Sequence, residues 1–227
     1  MIVKNDKQTA AEAAIDYIKD GMIVGLGSGS TVNYMIEALA ERIQREGLSI
    51  QTIPASKKSE QLATELGVPL TSFSEYKRVD IAIDGADEVD SDFQLLKGGG
   101  GSLVREKLIA AAADYFVVIV DQSKLVRQLG AFPLPVEVVP FAWKVTEQHI
   151  QQLGCRTSRR YQGDHVFVSD NGNYIIDCSF EQITEPSELH QQLKTLTGVV
   201  DTGLFLNMAD EVIAAEHGKL HIRKRKQ

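Results

Sequence analysis

The chain has 227 residues, 43% hydrophobic and 24% charged, which is enough apolar content for one large domain or two small ones. Its formal net charge of −7 excludes a surface built for nucleic acid. Cys155 and Cys178 make neither a disulfide framework nor a zinc pattern, no apolar stretch approaches the ~20 residues of a membrane span, and the first residues lack a leader's apolar core, so a cytoplasmic protein with reduced thiols is expected.

Residues 8–20 are Ala-rich with helical spacing, and 22–26 form an apolar run that ends in glycines and reads as a buried strand. Residues 31–45 read as a helix with Val32, Met35, Ile36 and Leu39 on one face. A strand over 49–54, a helix over 59–66 closed by Gly67, a strand over 79–83, a helix over 103–115 and a strand over 116–120 follow. This alternation predicts an α/β fold with a Rossmann-like parallel sheet covered by helices.

After Phe132 the texture changes, and Pro133, Pro135 and Pro140 mark a boundary. Strand over 136–139, helix over 142–153, strands over 156–161 and 166–168, strand over 174–178, helix over 187–196 and strand over 199–206 give the order βαββαβ. That order predicts a smaller α+β domain of split βαβ, ferredoxin-like type. Asp170-Asn171-Gly172-Asn173 between two apolar runs predicts a hairpin turn. Segments 211–215 and 220–225 around His217-Gly218-Lys219 read as a hairpin that rejoins the first domain. The expected division is a catalytic α/β domain over 1–130 plus about 206–227 and an α+β domain over 131–205. The basic run Arg223-Lys224-Arg225-Lys226 reads as a solvated terminus.

Four segments carry chemistry. Gly25-Leu26-Gly27-Ser28-Gly29-Ser30-Thr31 joins a strand to a helix, where amides and hydroxyls make an anion site. A dinucleotide fingerprint fails because Ser30 stands where its third glycine would be, and Ala55-Ser56-Lys57-Lys58 follows the second strand where an acid is needed. A single phosphate fits Ser28, Gly29, Ser30 and Thr31, with a tight capping turn as the alternative. Asp84-Gly85-Ala86-Asp87-Glu88-Val89-Asp90 follows a strand without calcium-loop spacing or a nearby histidine. Its carboxylates suit polyol hydroxyls, with Asp84 nearest the sheet, and Glu88, Asp90 and Asp92 read as surface charges. In Lys97-Gly98-Gly99-Gly100-Gly101-Ser102, glycines expose backbone donors behind a fixed cation, and Glu106 follows just inside the next helix. Arg105 occupies the capping-box position, so Glu106 is not consumed by capping, and it lies off the face marked by Val104, Leu108, Ala111 and Tyr115. Base, cation and amide donors together suit proton transfer beside a carbonyl. Lys124, in Asp121-Gln122-Ser123-Lys124, follows a further strand; alone it reads as a surface lysine, and its place at a strand end makes it a candidate phosphate or oxyanion partner. In open α/β sheets ligands bind outside the carboxyl ends of the strands, so one crevice is expected to gather these segments around a phosphosugar, with no cofactor required and a magnesium or calcium site at the acidic segment as the less favoured alternative. None of the five histidines falls in a strand-end segment, and none is assigned a role.

These segments, with Phe132-Pro133-Leu134-Pro135-Val136-Glu137-Val138, Asp170–Asn173 and Gly198-Val199-Val200 through Gly203-Leu204-Phe205, resemble the type A ribose-5-phosphate isomerases over nearly the whole chain. The resemblance implies interconversion of ribose 5-phosphate and ribulose 5-phosphate through an enediolate, in the non-oxidative branch of the pentose phosphate pathway. It implies Glu106 as general base, Lys97 and the amides of Gly98, Gly99 and Gly100 as oxyanion donors, and Asp84 and Asp87, around Gly85 and Ala86, as ligands of sugar hydroxyls. Asp84 would also assist ring opening. Ser28 to Thr31 would hold the phosphate, with Lys124 and Lys7 nearby. A metal-independent homodimer or homotetramer is implied as well. Ser28 replaces a common threonine, and Ser102 a usual alanine. A phosphosugar sensor without catalysis, an amino-sugar phosphate deaminase and a coenzyme A transferase are the rival readings.

Overall fold

A computed structural model describes residues 5–225; the first four residues and Lys226 of the basic run lie outside them. The elements run α1 (Asp6–Ile15), β1 (Ile23–Leu26), α2 (Ser30–Glu46), β2 (Gln51–Pro54), α3 (Lys57–Glu65), β3 (Ile81–Asp84), β4 (Glu88–Val89), β5 (Leu95–Leu96), α4 (Leu103–Ala112) and β6 (Phe116–Asp121). After a 3₁₀ turn at Gln122–Lys124 come β7 (Leu134–Val138), α5 (Trp143–Gln151), β8 (Arg156–Arg159), β9 (Tyr161–Gln162), β10 (His165–Val166), β11 (Tyr174–Ser179), α6 (Pro186–Thr195), β12 (Val199–Thr202), β13 (Leu204–Phe205), β14 (Glu211–Glu216) and β15 (Lys219–Lys224). The chain divides into two compact units. The first takes the chain up to Ala86, Arg105–Leu125 and everything from Met208; the second takes Asp87–Val104 and Val126–Asn207.

The first unit is a six-stranded sheet in the order β15-β14-β6-β3-β1-β2. All neighbours pair in parallel except β14 with β15. Numbered within the unit, the order 2-1-3-4-5-6 is the flavodoxin-like form of a doubly wound sheet, and its winding reverses between β1 and β3. The inner strands are continuous apolar runs such as Phe116–Val120, as burial on both faces demands. Val32, Met35, Ile36 and Leu39 of α2 pack into this core, as their spacing predicts. Helix α1 stops at Ile15, short of the expected end at residue 20. The Arg42 guanidinium explains the stop, since Nη1 donates to the carbonyls of Ile15 (2.5 Å) and Ile18 (2.9 Å). A helix end whose orphan carbonyls are satisfied from outside needs no further turn.

Glu211, at the start of β14, is wholly buried. It accepts hydrogen bonds from Tyr17 Oη (2.5 Å) and Tyr115 Oη (2.6 Å), and Lys224 Nζ lies 3.4 Å away. Burial, and then this carboxylate, push the Tyr17 phenol up to about 12, and the same causes raise Tyr115. On the far edge, β15 is exposed along its whole length, so its basic residues are solvated, as expected, but within a strand.

The second unit contains β7-α5-β8-β11-α6-β12 folded as an antiparallel sheet in the order β12-β7-β11-β8, the ferredoxin-like arrangement. Leu134, Val136, Val138, Ile176 and Cys178 face Ile150 and Leu193 of the two helices. Trp143, the chain's single tryptophan, lies in this unit under the Arg159 guanidinium, 4.1 Å from its ring centroid, and edge-on to Tyr174.

Several expectations change here. The predicted strand over 199–206 is two strands in different sheets, parted at Gly203, where a Cβ would collide with the Lys97 carbonyl. Strand β13 joins β5 and β4 in a three-stranded sheet that the acidic sequence around Asp87 conceals. That pairing groups Asp87–Val104 with the second unit, whereas the sequence division counts it with the first. Glu88 is not a surface charge. It is 3% exposed and accepts from the backbone N–H groups of Gly130 (2.7 Å) and Phe132 (2.6 Å). Bonds to a charged group contribute about 1.5–3 kcal/mol each, which compensates part of the cost of burying a carboxylate. Asp90 is half-buried and closes its own turn, and burial raises its carboxyl; Asp92 is exposed as expected. The Asp170–Asn173 turn forms, but the strands beside it do not pair with each other. Its Asn171 and Asn173 amides donate to buried Glu137 (3.1 and 2.8 Å).

The Tyr17–Glu211 bond gives a pH dependence. Folded Tyr17 keeps its proton up to about pH 12, whereas the unfolded chain releases it at the ordinary tyrosine value of about 10. The stabilisation is therefore complete below about pH 10 and is lost as pH rises through 12. Urea unfolding of Tyr17→Phe beside wild type is expected to show a stability gap at pH 8 that narrows steadily above pH 10.

Candidate functional site

Within the first unit, the segments after β1, β3 and β6 lie at one end of three neighbouring parallel strands. The reversal between β1 and β3 leaves room there for a ligand. Gly29 takes φ +111° ahead of α2 and supplies no side-chain cap, so the first-turn amides of α2 stay open, as an anion requires. Ser30 and Thr31 form that first turn, and Lys7 Nζ donates to Ser30 Oγ at 3.0 Å. The cation at Lys7 is thus held against the helix start.

Asp84 ends β3 and is 3% exposed. Its Oδ1 accepts from Ser28 N–H (3.0 Å) and Gly85 N–H (2.7 Å). A Cβ at Gly27 would collide with this carboxylate, so glycine is required there for close approach. Lys124 lies on the 3₁₀ turn after β6, which Asp121 caps by accepting from Ser123 N–H at 3.1 Å.

Glu106 sits in the first turn of α4 and is 4% exposed. The expected helix face was wrong: Leu108 is 61% exposed, and Leu103, Glu106, Ile109 and Ala110 are the buried positions. Helical periodicity puts residues 103, 106 and 110 on one face, so the carboxylate shares the inner side of the helix with apolar neighbours. The sequence reading also missed Ser56 and Ser59. Ser56 Oγ caps α3 by accepting from Ser59 N–H (3.0 Å) and bonds Ser28 Oγ at 3.1 Å. Ser59 Oγ donates to the Gly27 carbonyl at 2.7 Å. The available signal was a serine immediately before a helical run.

Within the second unit, β4 and β5 pair with Glu88 opposite Leu96. That register sets Asp87 and Lys97 beside each other at the open end of the hairpin. Asp87 N–H donates to the Leu96 carbonyl (2.9 Å), and Asp87 Oδ2 accepts from Gly99 N–H (2.8 Å). Lys97 is 2% exposed; its N–H donates to the Gly203 carbonyl (2.8 Å), and its Nζ lies 5.2 Å from the Phe205 ring centroid. Gly99 and Gly100 are exposed, and a Cβ at Gly100 would meet nothing. Gly98 needs its positive φ of +100°.

The first unit therefore holds Lys7, Ser28–Thr31, Asp84–Ala86, Glu106 and Lys124, and the second holds Asp87 and Lys97–Gly100. Among the described residues no group of three or more His, Cys, Asp or Glu could hold a metal ion, and no helix is long and apolar enough to cross a membrane.

A doubly wound sheet with an open helix start and a buried carboxylate at the winding reversal defines an α/β protein with an anion-accepting strand end. Residues 51–219 match the family model described as "Ribose 5-phosphate isomerase A (phosphoriboisomerase A)". The chain is 56% identical over 218 residues to ribose-5-phosphate isomerase A 2 of Oceanobacillus iheyensis, covering 96% of this chain and 97% of that one. It is 51% identical to the Bacillus mycoides protein of that name, covering 92% and 95%. Among solved structures, the isomerase A of Methanocaldococcus jannaschii superposes with a TM-score of 0.91 at 39% identity over 96% of this chain and 97% of that one. A D-ribose-5-phosphate isomerase in complex with phospho-erythronic acid superposes with a TM-score of 0.94 at 36% identity, over 99% and 100%. The chain belongs to the ribose 5-phosphate isomerase A family.

Gly27→Ala tests the close approach at Asp84. Overpacking of this kind costs about 1–3 kcal/mol, so a lower urea midpoint is expected, together with a loss of turnover.

Proposed function

We propose that the chain interconverts ribose 5-phosphate and ribulose 5-phosphate through an enediolate, with Glu106 as general base. The observation that carries this reading is a carboxylate buried on the first turn of a helix that directly follows the lysine and glycine run. Glu106 removes the C2 proton of the open-chain aldose, and the electron pair shifts toward O1. Lys97 and the amides of Gly98 to Gly100 receive the charge on oxygen. Return of that proton to C1, with the O2 hydroxyl proton passing to O1, gives the ketose. No redox partner enters, because C2 is oxidised as C1 is reduced.

Asp84 and Asp87 bind sugar hydroxyls, with the backbone of Gly85 and Ala86 between them, and Asp84 assists ring opening. Ser28 to Thr31, with Lys7 and Lys124, hold the phosphate. The open start of α2 and the Lys7–Ser30 contact support that assignment. The phospho-erythronic acid bound by a related isomerase supports it too, since that molecule joins a phosphate to a carboxylate of enediolate-like charge. A positioned base contributes ~10²–10⁴-fold, so the rest of the acceleration falls to oxyanion stabilisation and phosphate-anchored orientation. Metal independence, a cytoplasmic place in the non-oxidative pentose phosphate branch, and a homodimeric or homotetrameric state belong to the same proposal.

The test is to incubate EDTA-treated protein with ribose 5-phosphate and follow ketose phosphate. Rapid conversion is expected, with kcat of Glu106→Gln lower by about 10²–10⁴ and an unchanged circular dichroism spectrum. Near wild-type turnover in that variant would remove Glu106 from the role of base, and trapping of a glutamyl thioester would favour transferase chemistry instead. Thr31→Ala is expected to raise KM about 10–100-fold with a smaller change in kcat, the effect of losing one hydrogen bond to a charged group. An unchanged KM would move the phosphate elsewhere.

A further inference from the structure

A run of four glycines has more backbone freedom than any other sequence of its length, so a fixed donor array there needs an outside hold. The turn's own bond, from Gly101 N–H to the Gly98 carbonyl, is 3.0 Å. Asp87 takes the Gly99 N–H, and the hold on the carbonyls comes from the ferredoxin-like sheet. Arg160, just after β8, donates from Nη1 to the carbonyls of Gly98 (2.7 Å) and Gly99 (3.1 Å). The same guanidinium grips Asp177 of β11, with Nε on Oδ2 at 2.9 Å and Nη2 on Oδ1. Both side chains are mostly buried, at 13% and 24% exposure. Arg160 is fixed through its backbone as well: its N–H donates to the Ile175 carbonyl (2.8 Å), and its carbonyl accepts from Phe167 N–H (3.0 Å). The Phe167 ring fills the space that a Cβ at Gly101 would need.

The peptide plane turns this grip into direction. In a trans peptide the C=O and the following N–H point opposite ways. Holding the Gly99 carbonyl on Arg160 therefore aims the Gly100 N–H away from Arg160. Gly100 is exposed, and its N–H has no protein acceptor among the described residues. The neighbouring Gly99 N–H is committed to Asp87. One guanidinium thus orders two successive peptides, and a bidentate partner orients that guanidinium. A lysine cannot reproduce this geometry, because it is a point charge without the fork.

We propose that Arg160, oriented by Asp177, is a positioning residue that aims the glycine-turn amides for catalysis; this rests on the reading of that turn as the source of oxyanion donors. Its guanidinium bonds run to Gly98, Gly99 and Asp177, all in the second unit, and to none of the first-unit residues assigned to the phosphate. Its removal is therefore expected in kcat rather than KM.

The experiment compares Arg160→Ala, Arg160→Lys and Asp177→Asn with wild type and Glu106→Gln in the ribose 5-phosphate assay, with circular dichroism on each. Removing one aimed donor costs ~10²–10³ in kcat, so a misaimed one is expected to cost about 10–100-fold, with KM changed less than about threefold. Added ethylguanidinium is expected to restore part of the kcat of Arg160→Ala and to do nothing for wild type or Glu106→Gln. Arg160→Lys and Asp177→Asn are expected to show smaller losses with the same split between kcat and KM. A folded Arg160→Ala with wild-type kcat overturns the proposal. So does a loss shared equally by kcat and KM with no rescue, which marks a merely structural role. Should Arg160→Ala fail to fold, folded Arg160→Lys decides: wild-type kcat there overturns the proposal. A Glu106→Gln variant that keeps full turnover, or an inactive wild type, instead breaks the functional reading and takes this proposal with it. Full turnover in Arg160→Ala beside an inactive Glu106→Gln breaks the positioning role alone.

Discussion

A carboxylate and a missing side chain share one space where the first sheet reverses its winding. Asp84 is buried, and burial of such a group is tolerable only with donors directed at it. Those donors are backbone N–H groups of Ser28 and Gly85, on the segments that leave β1 and β3. Their approach depends on Gly27 having no Cβ. The contact therefore fixes two loops at once. From it follow the start of α2, the seat of the Ser30 hydroxyl on Lys7, and the serine relay from Ser28 through Ser56 to Ser59. Bonds to a charged acceptor contribute about 1.5–3 kcal/mol each, so two of them are a large share of the 5–15 kcal/mol by which a typical domain is stable.

The second unit works by a different rule. Its glycines offer no side chains to pack, so order is imposed from around them. Arg160 and Asp177 act from one sheet, Asp87 from the small hairpin, and Lys97 is tied through its backbone to Gly203. Buried Glu88 holds the Gly130 and Phe132 amides in the same way. Here Arg160, Asp87 and Glu88 each grip backbone groups. That suits a segment whose use depends on where its own backbone points.

Long apolar runs and strand-end glycines made most of the fold legible. The alternation of strand and helix gave the parallel sheet, and the order βαββαβ gave the ferredoxin-like part, because both follow from periodicity and connection length. The uncapped start of α2 was legible for a related reason: a glycine and serine segment between a strand and a helix leaves first-turn amides open. What stayed hidden depends on distant contacts. Strand β4 is two residues long inside an acidic run, and only pairing with β5 and β13 makes it a strand. Glu88 looks like its acidic neighbours until Gly130 and Phe132 arrive from some forty positions away. Leu108 marks an apolar face by residue type, yet the structure turns Glu106 inward and leaves Leu108 in solvent. Arg160 carries no local signal, since its partners at Gly98 and Gly99 lie about sixty positions earlier.

The tryptophan under Arg159 has a practical consequence. Trp143 is the chain's only indole, and it belongs to the ferredoxin-like unit, packed between a guanidinium and the edge of Tyr174. Intrinsic fluorescence excited at the indole band is therefore a reporter for that unit alone, blind to the doubly wound sheet. Circular dichroism, which averages over all helices and strands, sees both. The separation of the two signals turns an ordinary denaturation curve into a reading of whether the halves of this chain lose structure together or in turn.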